Sequence, residues 1–184
     1  ISEGQSEEAI AALAVARLLG IPDKTSFSVL SKYKGSWRRF DLRNAELNGK
    51  KFILVSDYGH HPTEVNVTMR ATREKFLDKK IWCVFQPHQF QRTFYLLDDF
   101  VKIFQNPPIN QIIITDIYSV AGRESSAIKK KIDSKKLARA INRKNVIYLP
   151  ISKIKQHLSE NLADGDVVMV MGAGDIYDLD RELG

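Results

Sequence analysis

Apolar residues recur along the chain in two patterns that alternate with each other. Residues spaced three and four apart, as from Phe94 to Phe104, predict helices, and short unbroken apolar runs, such as Ile81 to Phe85, predict buried strands. The segment 123–131 is predicted to form a long loop. The pattern predicts strands over 37–42, 52–56, 81–85, 112–115, 146–149 and 167–171, and helices over 7–19, 27–33, 62–77, 94–104, 134–141, 154–162 and 175–183.

The order of these elements predicts an α/β fold. Asn48 and Gly49 form a strong turn signal between the first two strands, which are therefore expected to pair as a β-hairpin. The later strands alternate with helices and have no polar face, which favours a mostly parallel sheet with helices on both faces.

A break near Gly35 divides the chain. The two helices before it stand apart from the alternation of strands and helices, and the glycine ends the second of them. We therefore predict that residues 1–34 are the helical tail of a preceding domain and that residues 35–184 form a separate domain. A length of 184 residues suits one domain with a short piece of a neighbour.

The composition indicates a compartment. Cys83 is the only cysteine, so no internal disulfide can form, and its apolar neighbours predict that it packs in the core. No apolar run approaches the roughly 20 residues that span a bilayer, and no signal peptide is recognisable at the start. We expect a cytoplasmic protein without a membrane partner.

The formal net charge of +6 is concentrated between Lys129 and Lys144, where Asp133 is the only acid. One interpretation is a surface for nucleic acid or another acidic partner, which would make the chain a non-enzymatic binding module. The other is a solvated helix with its flanks. We favour the second and expect no nucleic-acid partner, because no aromatic residue interleaves with these lysines to stack on bases.

Residues that can carry chemistry follow three of the predicted strands, in segments 56–62, 86–88 and 172–175. The carboxyl ends of parallel strands meet at one edge of a sheet, where ligands collect, so these segments are expected to converge. In the first, a helix begins at Pro62 and His61 is its predicted cap. Capping does not require Asp57, Tyr58 or His60, which stand in the same turn. Their presence favours a functional role for this segment.

The other two segments are less specific. His88 and Arg92 can share one helical face, and a guanidinium suits a carboxylate or a phosphate. The Gly-Ala-Gly turn at residues 172–174 is equally well a phosphate-binding turn or a plain tight turn. No Gly-x-x-x-x-Gly-Lys-Ser/Thr sequence is present, so most of any ATP site lies elsewhere.

Five segments occur in an order that is characteristic of one family. They are Arg38-Arg39-Phe40, Asp-Tyr-Gly-His-His-Pro-Thr-Glu at 57–64, Gln86-Pro87-His88 with Arg92-Thr93, Asp116-Ile117-Tyr118 with Ala121-Gly122, and Met-Gly-Ala-Gly-Asp-Ile at 171–176. The set resembles the UDP-N-acetylmuramate–L-alanine ligases of the Mur ligase family. The Gln-Pro-His sequence favours these over the murein-tripeptide ligases, which remain the alternative.

The resemblance implies a Rossmann-like C-terminal domain that follows a UDP-sugar domain and a central ATPase in the same polypeptide. In the implied reaction ATP phosphorylates the muramate carboxylate, and the amine of L-alanine then displaces phosphate to form an amide. ATP and Mg²⁺ are expected to be bound mainly by the central domain, so this chain is expected to have no metal site and to be inactive alone. A closing domain shields the acyl phosphate from water.

The resemblance also implies residues that bind the nucleotide. Arg39 corresponds to an interdomain arginine on the ATP phosphates, Asp57 to an acid on the nucleotide ribose, and Tyr58 to a residue near the adenine. The first helix is expected to carry an Asn-x-x-Asn pair, but these positions hold Gln5 and Glu8, so we leave this helix outside the site.

A second group of residues is implied for the amino acid. His60, His88 and Arg92 correspond to the residues that hold the alanine carboxylate, which charged planar donors suit. The family usually has an arginine directly after Pro-His, where this chain has Gln89. One carboxylate donor is therefore expected to be missing.

Overall fold

The computed structural model describes residues 3–33, 36–122 and 124–184, without the side chains of residues 3–8. Helices and strands alternate along most of these ranges, as the sequence pattern predicts. The elements are α1 Glu3–Leu18, α2 Asp23–Leu30, β1 Asp41–Leu47, β2 Lys50–Asp57, α3 Pro62–Lys75, β3 Ile81–Phe85, α4 Phe90–Tyr95, α5 Leu97–Gln105, β4 Gln111–Ile114, α6 Ser126–Lys129, α7 Ser134–Ile141, β5 Val146–Tyr148, α8 Ile151–Asn161, β6 Val167–Met171 and α9 Ile176–Leu183.

The strands form one sheet in the order β1-β2-β6-β3-β4-β5. β1 pairs antiparallel with β2, and every other pairing is parallel. The turn between β1 and β2 is made by Asn48 and Gly49, whose φ angles of 51° and 77° suit a tight hairpin. The predicted hairpin and the mostly parallel sheet are therefore confirmed.

Helices cover both faces of the sheet, as predicted. On one face α3, α5 and α7 bury residues such as Met69, Phe100 and Leu137 against the strands. On the other face α8 and α9 bury residues such as Leu158 and Ile176. The continuously apolar strands thus meet a packed layer on each side, which explains why they lack a polar face.

The first strand is the largest error of the sequence prediction. It was expected over 37–42, but it begins at Asp41 and ends at Leu47. Arg38 and Phe40 both have a φ of 52°, which lies outside the extended region, so the segment that contains them turns. β1 is an edge strand whose exposed and half-buried residues alternate, and its polar sequence hid it.

Other boundaries also differ from the prediction. The second helix spans Asp23–Leu30 and not 27–33, with Pro22 as its N-cap. The helix predicted over 94–104 is two helices, because the backbone of Leu96 leaves the helical region (φ −106°, ψ 21°). The long loop predicted over 123–131 contains the short helix α6.

The prediction that Cys83 packs in the core is confirmed, whereas the interpretation of the basic segment as a solvated helix stays a prediction. Cys83 is fully buried in the core, and burial raises the pKa of its thiol to about 12, so it packs as an apolar residue. In the basic segment, Lys136 donates to two main-chain carbonyls of its own flank. Aromatic rings absent from the segment's sequence do approach it in space, since Lys131 lies 5.6 Å from the ring of Phe94.

The predicted domain boundary falls at residues 34 and 35, which lie outside the described residues. Before it, α1 contacts α2 and α3 but leaves apolar side chains in solvent, with Leu18 87% exposed and Leu19 72% exposed. In the part of the chain that the structure describes, no helix is long and apolar enough to cross a membrane.

Candidate functional site

The three predicted segments meet at the carboxyl edge of the sheet. β6 lies between β2 and β3, so its last residues touch both neighbours. The amide of Gly172 donates to the Asp57 carbonyl (3.1 Å), and the amide of Gln86 donates to the Met171 carbonyl (2.9 Å). The convergence expected from the order of elements is therefore confirmed.

Asp57 is used by the fold itself. Its side chain is buried, and its two oxygens accept hydrogen bonds from the amides of Phe40 (2.9 Å) and Gly59 (2.7 Å). Burial raises the pKa of Asp57, and these two hydrogen bonds oppose the rise. A Cβ at Gly59 would lie 2.8 Å from the carboxylate, so only glycine lets the chain turn this closely around it.

Arg38 is buried beside Asp57, which the sequence did not show. It is 2% exposed, and its guanidinium donates to the hydroxyl of Ser56 (3.2 Å) and to the carbonyl of Gly172 (2.7 Å). Its main-chain carbonyl accepts from the amide of Tyr58 (2.7 Å). Burial lowers the pKa of this arginine. Arg38 thus joins the β1 turn to the ends of β2 and β6.

The other two residues predicted for the nucleotide lie on the outside of this cluster. Arg39 is exposed, and its charge opposes the rise in the pKa of Asp57 and contributes to the lowered pKa of Glu64. The ring of Tyr58 is 39% exposed and makes an edge contact with His60, with 5.5 Å between the centroids. The structure therefore brings Arg39, Asp57 and Tyr58 to one end of the sheet.

The turn after β2 is a capped helix start, as predicted. His61 is the N-cap of α3, and its ring accepts from the amide of Thr63 (3.3 Å). Glu64 closes the capping box by accepting from the amides of His60 (2.9 Å) and His61 (3.0 Å). Although partial burial opposes it, these hydrogen bonds lower the pKa of Glu64. His61 therefore serves the helix, whereas the ring of His60 is left for the site.

His60, in the turn before α3, lies close to His88 and Arg92, which belong to the segment that leads from β3 into α4. The rings of the two histidines lie 5.3 Å apart, and a guanidinium nitrogen of Arg92 lies 3.3 Å from Nδ1 of His88. A guanidinium only donates, so Nδ1 of His88 accepts and its Nε2 carries the proton in the neutral ring. In His60, Nδ1 lies 3.1 Å from the Tyr58 carbonyl and therefore donates to it.

The electrostatics of this cluster favour neutral histidines. Burial lowers the pKa of His60, and the charge of Arg92 lowers it further. Burial also lowers the pKa of His88, with added repulsion from His60 and Arg92. The site thus offers a permanently charged guanidinium beside an Nε2–H donor on His88, which is a suitable set for a carboxylate.

The glycine turn after β6 serves packing. Gln86 is buried, donates to the side chain of Asp175 (2.6 Å) and accepts from the amide at the start of α9 (3.1 Å). A Cβ at Gly174 would overlap the ring of Tyr118 and lie 2.5 Å from the Gln86 amide oxygen. Of the two interpretations of this turn, the contacts favour the plain tight turn.

The described residues contain no group of three or more His, Cys, Asp or Glu side chains that could hold a metal ion. The donors and charges at the carboxyl edge of the sheet suit recognition of an anionic ligand.

Comparison with known proteins places these features in one family. Residues 38–174 match the family described as Mur ligase, glutamate ligase domain. The chain is 39% identical over 170 residues to a UDP-N-acetylmuramate–L-alanine ligase of Acetivibrio thermocellus, covering 92% of this chain and 34% of that protein. A protein of the same name from Clostridium botulinum is 35% identical over 168 residues, covering 91% and 35%. The chain spans about a third of the length of these relatives.

Solved structures share the fold. A UDP-N-acetylmuramate-alanine ligase from Thermotoga maritima superimposes with a TM-score of 0.73 at 20% identity, over 99% of this chain and 37% of that one. A murein peptide ligase from Psychrobacter arcticus gives a TM-score of 0.60 at 19% identity, over 95% and 35%. Since the family match extends over most of the sequence, the chain belongs to the Mur ligase family, in its glutamate ligase domain.

Proposed function

We propose that this chain is the acceptor-binding, C-terminal part of an ATP-dependent ligase that joins L-alanine to UDP-N-acetylmuramate. The observation that carries the proposal is the cluster of His60, His88 and Arg92 at the carboxyl edge of the sheet. The names of the relatives with 39% and 35% identity support the choice of L-alanine as acceptor. The Gln-Pro-His sequence that ends at His88 supports the same choice over a murein peptide.

In this proposal the cluster orients the acceptor amino acid. The guanidinium of Arg92 and Nε2–H of His88 donate to the L-alanine carboxylate, and His60 lines the same space. With the carboxylate held, the amine points away from the sheet edge toward the activated muramate. The neutral amine attacks the carbonyl of the acyl phosphate and a C–N bond forms. Phosphate leaves with the bonding electrons of the C–O bond, and the proton lost from the nitrogen passes to phosphate or solvent.

The nucleotide is proposed to meet the opposite end of this edge. ATP supplies the phosphate that activates the muramate carboxylate, and Mg²⁺ neutralises its oxygens when bound by the rest of the protein. Arg39 is exposed and is proposed to bind the phosphates, and the exposed ring of Tyr58 is proposed to contact the adenine. Asp57 can contact a ribose only with lone pairs that its hydrogen bonds to Phe40 and Gly59 leave unused.

We further propose that α1 and α2 belong to the preceding domain. Leu18 at the end of α1 and the adjacent Leu19 expose most of their apolar side chains. A neighbouring domain packed against these helices would cover such side chains. Arg17 and Asp23 bridge the two helices at 2.8 Å, so the pair has contacts of its own. Residues 35–184 would then be the domain that closes over the reaction and excludes water.

The experiment that tests the function uses the complete polypeptide. Phosphate release is followed with UDP-N-acetylmuramate, ATP and Mg²⁺, with L-alanine in one sample and a murein tripeptide in another. Turnover with L-alanine only is the expected result. Turnover with tripeptide only would contradict the choice of acceptor, and no turnover with either would contradict the ligase function.

A second test uses the 184-residue chain alone. It is expected to release no phosphate from ATP, because it has no phosphate-binding loop of the Walker type and no metal cluster among its described residues. The background is set by the Asp57→Asn variant of the same chain. Phosphate release above that background would contradict the assignment of the ATPase to the rest of the protein.

A further inference from the structure

Tyr118 connects three strand ends at the acceptor site. It follows β4, and its amide donates to the Pro87 carbonyl (2.8 Å), while its carbonyl accepts from the amide of Gln89 (2.8 Å). These two hydrogen bonds form an isolated parallel bridge between Tyr118 and His88. The main chain on both sides of His88 is therefore tied to that of Tyr118.

The ring of Tyr118 also contacts the ring of His88. The two rings are stacked, with 5.3 Å between the centroids and 20° between the planes. The Tyr118 ring lies against the main chain of Gly174, at a position where any side chain on that residue would overlap it. The ring therefore has little room to move away from His88.

The stacking sets the plane of the His88 imidazole, and the contact with Arg92 sets which edge of the ring faces that residue. A guanidinium nitrogen of Arg92 lies 3.3 Å from Nδ1, so Nε2–H is directed away from Arg92. Within the described ranges the hydroxyl of Tyr118 makes no hydrogen bond, so the ring and not the hydroxyl makes the contact. A donor that is fixed before the ligand arrives loses less conformational entropy on binding.

We propose that Tyr118 is a positioning residue for acceptor recognition: its ring fixes the plane of the His88 imidazole, so that Nδ1 stays against Arg92 and Nε2–H stays directed into the acceptor site. The proposal rests on the proposed function for the identity of the carboxylate. It assigns to a residue after β4 a role that neither histidine nor arginine fulfils, namely setting the plane of the donor.

Steady-state kinetics of the complete polypeptide test the role of the ring. Tyr118→Ala is expected to raise the KM for L-alanine roughly 3- to 10-fold, the equivalent of one lost aromatic pair, and to leave the KM for ATP within 2-fold. Tyr118→Phe keeps the ring and is expected to restore the wild-type KM. Tyr95→Ala, which removes an exposed tyrosine of α4, is the matched control.

Three kinetic results would overturn the proposal. An unchanged KM for L-alanine in Tyr118→Ala would show that the ring does not position the donor. A parallel rise in the KM values for L-alanine and ATP, or a failure of Tyr118→Phe to restore function, would show a general structural effect or a role for the hydroxyl.

A spectroscopic measurement separates this proposal from the ligase function. In the complete polypeptide labelled with ¹³C-histidine, the ring protons of His88 are assigned by comparison with His88→Gln. Their resonance is expected to lie upfield in the wild type and in Tyr118→Phe, and to move downfield in Tyr118→Ala. An unchanged shift would overturn the proposal even in an active ligase, whereas the expected shift in a protein without alanine-dependent turnover would contradict only the proposed function.

Discussion

The carboxyl edge of the sheet has two halves that use polar side chains in different ways. In the half around Asp57, the carboxylate accepts from two main-chain amides and the neighbouring Arg38 donates to a carbonyl and a hydroxyl. In the half around His88, the Arg92 guanidinium contacts Nδ1 of His88, and the ring of His60 donates to the Tyr58 carbonyl. Both halves contain conspicuous charged residues, but only the second leaves donors directed at a ligand.

The difference is one of burial. Arg38 is 2% exposed and Asp57 is 7% exposed, so each would be costly without a full set of internal partners. His60, His88 and Arg92 are only partly buried, so solvent can satisfy them until a ligand replaces it. We therefore expect changes in the first half to reduce stability and changes in the second to reduce acceptor affinity.

The largest effect is expected from the adjacent arginines. Arg38→Ala removes the donor of the Gly172 carbonyl and of the Ser56 hydroxyl and opens a cavity, so the free energy of unfolding of the 184-residue chain should fall by about 2–5 kcal/mol. Arg39→Ala, the matched exposed position, should change it by no more than about 0.5 kcal/mol. Urea unfolding followed by circular dichroism measures both. Equal losses in the two variants would mean that Arg38 is not the structural member of the pair.

The reverse pattern is expected for Arg92. In the complete polypeptide Arg92→Ala removes a charge-assisted contact of about 1.5–3 kcal/mol, which corresponds to a rise in the KM for L-alanine of roughly 10- to 150-fold. The KM for ATP should stay within 2-fold. Arg70→Ala, an exposed arginine of α3, is the control. If Arg92→Ala lost as much stability as Arg38→Ala, the proposed distinction between the two halves would be contradicted.

A smaller effect is expected from Asp57→Asn. The amide retains one acceptor for the two main-chain donors of Phe40 and Gly59, and its NH₂ group opposes the other. The free energy of unfolding should fall by about 1–2 kcal/mol. Asp98→Asn, at an exposed position of α5, controls for the lost charge. An unchanged urea midpoint for Asp57→Asn would contradict a stabilising role of these hydrogen bonds, and the carboxylate would then be available to bind the nucleotide.

The smallest effect is expected from pH. The pKa values of His60 and His88 lie below the ordinary histidine value of about 6.5, so just below that pH the unfolded chain binds more protons than the folded chain. Stability should therefore fall as the pH drops through about 6.5. In the double variant His60→Gln, His88→Gln this fall should be smaller, with His157→Gln as the control for loss of an imidazole on α8. An identical pH dependence in the double variant would contradict the depressed pKa values.

Much of the fold could be predicted because its signals are local. Ile81–Phe85 and Val167–Met171 were predicted at their observed bounds, since unbroken apolar runs need a sheet covered on both faces. The cap at His61 followed from Pro62 and the first-turn acid. β1 could not be located, because an edge strand needs few apolar residues and its start depends on the positive φ of Phe40.

The site was predicted in its location but not in its internal organisation. The order of strands brought the three segments together, and this needed no side-chain information. The burial of Arg38 depends on a turn and on the end of β6, which is 134 residues away in the sequence, so no local pattern could show it. The stacking of Tyr118 on His88 depends in the same way on the pairing of β3 with β4.

The most direct test of the central claim compares L-alanine with L-alaninamide, which lacks the carboxylate, in the complete polypeptide and in its Arg92→Ala variant. If the half around His88 recognises the carboxylate, kcat/KM in the wild type should favour L-alanine by roughly 10-fold or more, and Arg92→Ala should lose most of that preference. The same preference in both proteins would contradict the account, because the carboxylate would then be recognised elsewhere.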